Sequence, residues 1–312
     1  MKHVLRVTLL LLLLGFVMPL AAQEKTLTIG VDQEVIGLDP HIVTAFSSHR
    51  RIDLLYNKLV RHDEDLKIVP DLAESWEIPN NITYIFNLRK GVKFHNGIEL
   101  TADDVIFSLN RILDPKTAAP GRSYITSIKS MEAIGPYQVK ITLSAPLASF
   151  LEGLSSNNCA IVSKAAVEQY GNLQKVEAGT GPFILKEWIP DNSMTMVKNP
   201  NYFDKGLPYL DKVIFRVIPE QASLFAGVKS GTLDIAQIND GSTVLLAKRD
   251  PNLIVMQKPG INLRTFGFNV TRKPFDDERV RQAISLAIDR NEIIAAAEFG
   301  MAQPSGPIPA GA

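Results

Sequence analysis

Apolar and polar positions alternate along several short stretches of the chain. Leu27, Ile29 and Val31 share one face of 26–31, and Tyr84, Phe86 and Leu88 share one face of 83–88. Tyr137, Val139, Ile141 and Leu143 repeat the pattern in 137–143, and Val213, Phe215 and Val217 repeat it in 212–218. A period of two puts such residues on one side of a pleated strand, so each run predicts a half-buried strand. Residues 265–270, with Phe266, Phe268 and Val270 on one side, predict a further strand. A hairpin around Pro79-Asn80-Asn81 is expected to join 76–78 to 83–88.

Other stretches carry helical spacing. Ile52, Leu55, Tyr56 and Leu59 predict a helix over 48–60. Val105, Ile106, Leu109, Ile112 and Leu113 form a stripe behind Thr101-Ala102-Asp103-Asp104, where Thr101 can cap the helix and the aspartates suit its positive end. A helix over 222–229 is closed by Gly231, and helices over 277–288 and 291–299 are separated near Asp289, which can cap the second. Strand and helix patterns alternate without a fixed-period repeat, which indicates an α/β protein and excludes a solenoid. About forty residues follow Val270, too few for an independent core. The two final helices must therefore pack on a partner or on a domain absent from this chain, and the second is expected.

The amino terminus changes the picture next. Lys2 and Arg6 precede an apolar run over 7–18, and Pro19, Leu20, Ala21 and Ala22 follow. This order predicts a secretory leader over 1–22, cleaved after Ala22, with an uncleaved anchor as the alternative. Gln23, not cysteine, occupies the following position, so the exported protein is expected to be unlipidated and, in a bacterium, periplasmic. Cys159 is the single cysteine, which rules out a disulfide framework. Lys plus Arg and Asp plus Glu both number 33, giving no basic excess for a nucleic-acid partner.

Catalytic signatures fail in turn. The chain has no Gly-x-Ser-x-Gly elbow, no His-Glu-x-x-His helix and no Walker-type loop. Gly179-Thr180-Gly181 looks like part of a dinucleotide fingerprint, but Pro182 and an alternating run follow where a helix is needed, so it reads as a turn entering a strand. His41, His49, His62 and His95 lack the spacing of a metal site. Cys159 beside Asn157 and Asn158 reads as a buried, inert thiol or as a nucleophile, the first being expected. Asp103 and Asp104 are accounted for by the helix start.

Four blocks together carry a resemblance. They are Leu38-Asp39-Pro40-His41 with 70–76; 84–97 leading into Thr101-Ala102-Asp103-Asp104-Val105; Gly179-Thr180-Gly181-Pro182-Phe183 with Asn199-Pro200-Asn201-Tyr202-Phe203 and 230–234; and Asn269, Pro274-Phe275-Asp276-Asp277, 280–283 and 288–290. In this order they resemble the extracytoplasmic solute-binding proteins of the peptide and nickel ABC importers (family 5). Phe203 stands where the family often has Trp.

The resemblance implies an α/β, periplasmic-binding-protein-like, two-lobed fold with an extra subdomain, the second lobe largely missing here. By order along the chain, 23–55 and 178–267 would form the core of lobe I, 56–177 its inserted subdomain, and 268–312 the hinge and start of lobe II. It implies no reaction and no cofactor or metal, but capture of a short peptide or other small solute for delivery to a permease–ATPase complex at the inner membrane. Nickel chelates, haem or sugar-type ligands, or a chaperone or sensor role, are alternatives within the binding class; a secreted hydrolase is the alternative outside it. A monomer is expected for the complete protein. The family's ligand positions correspond to Thr44, Ala45 and Phe46, whose backbone would pair with the ligand, to Asn157, Asn158 and Cys159 facing the cleft, and to Glu34 and Phe268.

Overall fold

The computed structural model describes residues 24–257 and 265–306, so the leader expected over 1–22 lies outside the described residues. The first alternating run forms β1 (Thr26–Val31), an inner strand of a five-stranded sheet. The other strands, in chain order, are β2 (Val60–His62), β3 (Ile68–Pro70), β4 (Ala73–Asn80), β5 (Thr83–Leu88), β6 (Ile128–Gly135), β7 (Gln138–Leu143), β8 (Phe183–Ile189), β9 (Ser193–Lys198), β10 (Lys212–Val217) and β11 (Ile235–Ala236). The main sheet runs β11-β1-β10-β9-β8. β1 is parallel to β10 and β11, whereas β10–β9 and β9–β8 are antiparallel. β4-β5-β7-β6 form an antiparallel second sheet, and β2 pairs with β3.

Each sheet carries its own core. Tyr84, Phe86 and Leu88 of β5 and Val139 and Ile141 of β7 pack with Val105, Leu109 and Ile112 of the helix Ala102–Leu113. In the second core, Val31, Met194, Met196, Val213 and Phe215 from the main sheet pack with Ile52 and Leu55 of the helix Phe46–Leu55. A buried ionic cluster ties the two sides together. Arg111 donates from Nη1 to Asp39 Oδ1 at 2.9 Å and from Nη2 to Oδ2 at 2.6 Å, and Nη1 also donates to His41 Nδ1 at 2.8 Å. His41 is therefore the Nε2–H tautomer, donating to the Ala160 carbonyl at 2.8 Å. Leu173 N–H donates to the same aspartate.

The Gly179-Thr180-Gly181 segment is a turn, and β8 follows it as the alternation predicts. Both glycines are set by close approach: a Cβ would stand 1.9 Å from the Leu55 carbonyl oxygen at Gly179 and 2.4 Å from the Leu55 carbonyl carbon at Gly181. His95 supports the same turn, bonding Glu177 through Nδ1 and the Gly181 carbonyl through Nε2 at 3.0 Å.

Two expectations fail. The first helix ends at Leu55 instead of 60, because Tyr56 turns extended (φ −128, ψ 155) and buries its ring. The Tyr56 hydroxyl accepts from Ala178 N–H at 3.1 Å, and Val60 goes on to pair with Pro70 in β2–β3. Tertiary contacts override the helical spacing there. Residues 265–270 form no strand. No described segment pairs with them, and alternation without a ladder partner leaves backbone groups to solvent. The two final helices do form, as Glu278–Ala287 and Arg290–Ala297, with Asp289 accepting from Asn291 and Glu292 N–H; neither buries a residue.

Candidate functional site

In sheets with parallel strands, ligands gather outside the carboxyl ends, where chains leave the ladder and turn away. β1 and β11 finish side by side here, with Gly30 opposite Ala236. On the other flank, Ile218 N–H donates to the Val31 carbonyl as the chain leaves β10. Beyond these ends lies a pocket of about 250 Å³. One side is the exit of β1, with Val31, Asp32 and Gln33; another is the start of the helix Phe46–Leu55, with Phe46, Ser47, Arg50 and Arg51; Gln237 and Asn239, after β11, complete it.

A polar network shapes the rim. Asp32 Oδ2 accepts from Asn239 Nδ2 at 2.7 Å and from Gln221 Nε2 at 3.4 Å. Gln221 Oε1 in turn accepts from Asn239 N–H at 2.8 Å, and Gln237 N–H donates to the Gly30 carbonyl. Arg51 is fully buried at the side, and Phe46 is 69% exposed at the mouth.

The segment 44–46 borders this pocket. Thr44 and Phe46 are exposed, Ala45 is half-buried, and Ala45 is extended (φ −76, ψ 134). Among the described residues the N–H groups of Thr44 and Ala45 and the Thr44 carbonyl take no partner, so they present an open backbone edge. The segment is nevertheless fixed. Asn158 Nδ2 donates to the carbonyls of Pro40 at 2.7 Å and Val43 at 2.9 Å, and the Asp39–Arg111–His41 cluster anchors the preceding turn.

The remaining residues expected at the site are placed elsewhere or turned inward. Asn158 is buried, and its amide supports the 40–43 turn. Cys159 sits in the second sheet's core, where burial pushes its thiol up to about 12. Glu34 ties two loops, accepting from Val35 N–H and from Asp191 N–H at 2.7 Å. Phe268 packs against Phe275, the rings tilted by 39° with centroids 5.5 Å apart. Asn157 accepts from Lys58 Nζ at 2.8 Å and lines a different recess of about 530 Å³, along with Asn57, Asp71 and Tyr202. That recess is larger, but its central polar groups serve one another: Asp71 accepts from Asn57 Nδ2 and Lys58 N–H, both at 2.8 Å, and Lys58 pairs with Asp53. The smaller pocket, with its open backbone edge, is the better candidate.

Sequence reasoning missed Asp32, Gln33, Arg50, Arg51, Gln237 and Asn239. One signal was available: polar residues directly following the β1 alternation. Two-residue β11 offers no period to read.

Residues 67–312 match the family model for bacterial extracellular solute-binding proteins, family 5, middle region. The chain belongs to this family. Its members are periplasmic binding components of ABC importers and are not enzymes. The chain is 31% identical over 287 residues to the glutathione-binding protein GsiB of Escherichia coli (strain K12), a match covering 91% of this chain and 56% of that relative. It is 32% identical over 291 residues to Heme-binding protein A of Haemophilus influenzae, covering 85% of this chain and 53% of the relative. Its fold is similar to that of the ABC transporter-associated periplasmic binding protein DppA from Helicobacter pylori, solved in complex with the peptide STSA. That match has a TM-score of 0.83 at 30% identity, covering 92% of this chain and 61% of the other. The chain thus spans little more than half the length of the curated relatives it matches.

Proposed function

We propose that this family 5 protein captures a short peptide at the carboxyl ends of β1 and β11 and delivers it to a permease–ATPase complex in the inner membrane. The open backbone of Thr44 and Ala45 beside the pocket carries the reading. An extended segment with free N–H and C=O groups suits edge pairing with another extended backbone, with the adjoining pocket sorting side chains or an end group. Phe46 offers an aromatic surface at the mouth, and Asn158 keeps the edge in place. Among the positions transferred from the family, Thr44, Ala45 and Phe46 have the exposure such a role requires. Asn157, Glu34 and Phe268 would act from the periphery, and Asn158 and Cys159 from beneath.

The division into lobe I core (23–55 and 178–267), inserted subdomain (56–177) and opening of a second lobe (268–312) belongs to the same proposal. The two separate buried cores support it, one drawn from residues 59–161 and the other from 31–56 and 160–215. Export with cleavage after Ala22 and no lipid rests on the basic, apolar and small-residue order of the leader and on Gln23.

A thermal-shift panel tests the ligand class, using mixed di- to pentapeptides, nickel–histidine, haem and an acidic sugar conjugate. Stabilisation by the peptides is expected, because a ligand that binds only the folded state raises its stability. A response confined to haem, the nickel chelate or the sugar conjugate would overturn the peptide reading.

A further inference from the structure

We propose that the pocket beyond β1 and β11 selects solutes bearing a carboxylate, with Arg50 contacting that group and Arg51 supplying positive charge beside it. This inference rests on the solute-binding reading above.

Arg51 carries the argument. It is 1% exposed, yet every partner it has among the described residues is neutral. Nη1 donates to the Ser47 carbonyl at 2.7 Å, Nη2 to the Gln33 carbonyl at 3.4 Å, and the guanidinium lies 4.4 Å from the Phe215 ring centroid. Buried Nε has no hydrogen-bond partner among the described residues. A buried guanidinium that no carboxylate hydrogen-bonds is costly, and arginine is suited to gripping a planar carboxylate. Burial pulls the Arg51 pKa down to about 10, with Glu34 and Asp32 acting to raise it and Arg50 to lower it; the side chain stays charged at neutral pH.

The nearby acids are already engaged. Asp32 accepts from Asn239 and Gln221, and Glu34 accepts from Val35 and Asp191 backbone N–H groups. Two arginines and one aspartate line the pocket, and Glu34, which acts on Arg51 from outside the lining, forms no ion pair with either arginine among the described residues. A volume of about 250 Å³ fits an end group with a side chain better than a whole bulky solute. A peptide laid along Thr44 and Ala45 would bring its terminal carboxylate there, where the charge-assisted bond to Arg50 replaces lost hydration.

Trialanine and trialaninamide differ only in that end group, so they make the test. Backbone amide NMR signals of Gln33, Ser47, Gln237 and Asn239 are followed as each is titrated into the purified protein. Trialanine is expected to bind at least about tenfold more tightly than the amide, the scale of one charged hydrogen bond. Arg50→Gln should erase that difference, and Arg51→Met should do the same if circular dichroism shows it folded; Arg50, being exposed, decides the matter if it is not. Equal binding of the two peptides, or a preference that survives Arg50→Gln, would overturn the inference and leave the solute-binding reading standing. Silence from both peptides at saturating millimolar concentration would overturn that reading as well.

Discussion

Two helices with similar amphipathic patterns have opposite fates in this molecule. Ala102–Leu113 buries Ala102, Asp104, Val105, Ser108, Leu109 and Ile112 against β5 and β7. Glu278–Ala287 buries nothing, and its Leu286 is 87% exposed. Both begin with local caps. Asp104 accepts from Thr101 N–H at 3.0 Å, and Asp277 accepts from Arg279 N–H at 2.9 Å. Capping and periodicity therefore set where each helix starts, whereas burial depends on which other elements come to meet it. The same contrast holds for the strands: alternating 83–88 finds ladder partners on both sides, and alternating 265–270 finds none among the described residues.

Paired side-chain truncations separate the two helices. Leu109→Ala should cost about 2–5 kcal/mol by removing buried methyl groups from a filled core. Leu286→Ala should stay within about 0.5 kcal/mol, as exposed substitutions do. Urea unfolding of both variants checks this, and similar losses would mean that the later helix is packed in solution.

Acid sharpens the same contrast at a somewhat smaller scale. Burial, and then Arg111, push His41 down to about 4 from an ordinary 6.5. The unfolded chain takes up that proton first, so stability is full above about 6.5 and falls as pH drops toward 4, by at most about 3 kcal/mol. His49 is lowered by its own burial and adds in the same direction. At lower pH Asp39 contributes. Burial pushes its carboxyl up, but Arg111 and His41 outweigh that and hold it below the usual range, so its stabilisation is lost as pH falls below that of an ordinary carboxylate. Asp71, raised by burial, opposes the trend just above 3.8. Denaturation midpoints from pH 7 to 4 should therefore drop on the well-packed side, and a midpoint flat over that range in the parent chain would contradict the neutral, buried assignment of His41.

The fold was legible where local chemistry decides it. The boundaries of β1 and β5, the left-handed Gly231 after the helix Gln221–Ser230, and the Asp289 cap were all readable from residue order. It was not legible where a distant group decides it. Nothing near Tyr56 announces that its hydroxyl will meet Ala178 and end the helix. The site was half visible. Thr44–Phe46 followed from the resemblance, but the other walls of the pocket come from a two-residue strand and from an arginine whose charge predicts exposure, not burial.

Hydrogen–deuterium exchange with and without a di- to pentapeptide mixture tests solute capture beyond β1 and β11. Ligand should slow exchange at 31–33, 44–47 and 237–239, the three walls of the pocket and its open edge. Protection confined to 57–62 and 202–207, around the larger recess, would contradict the account.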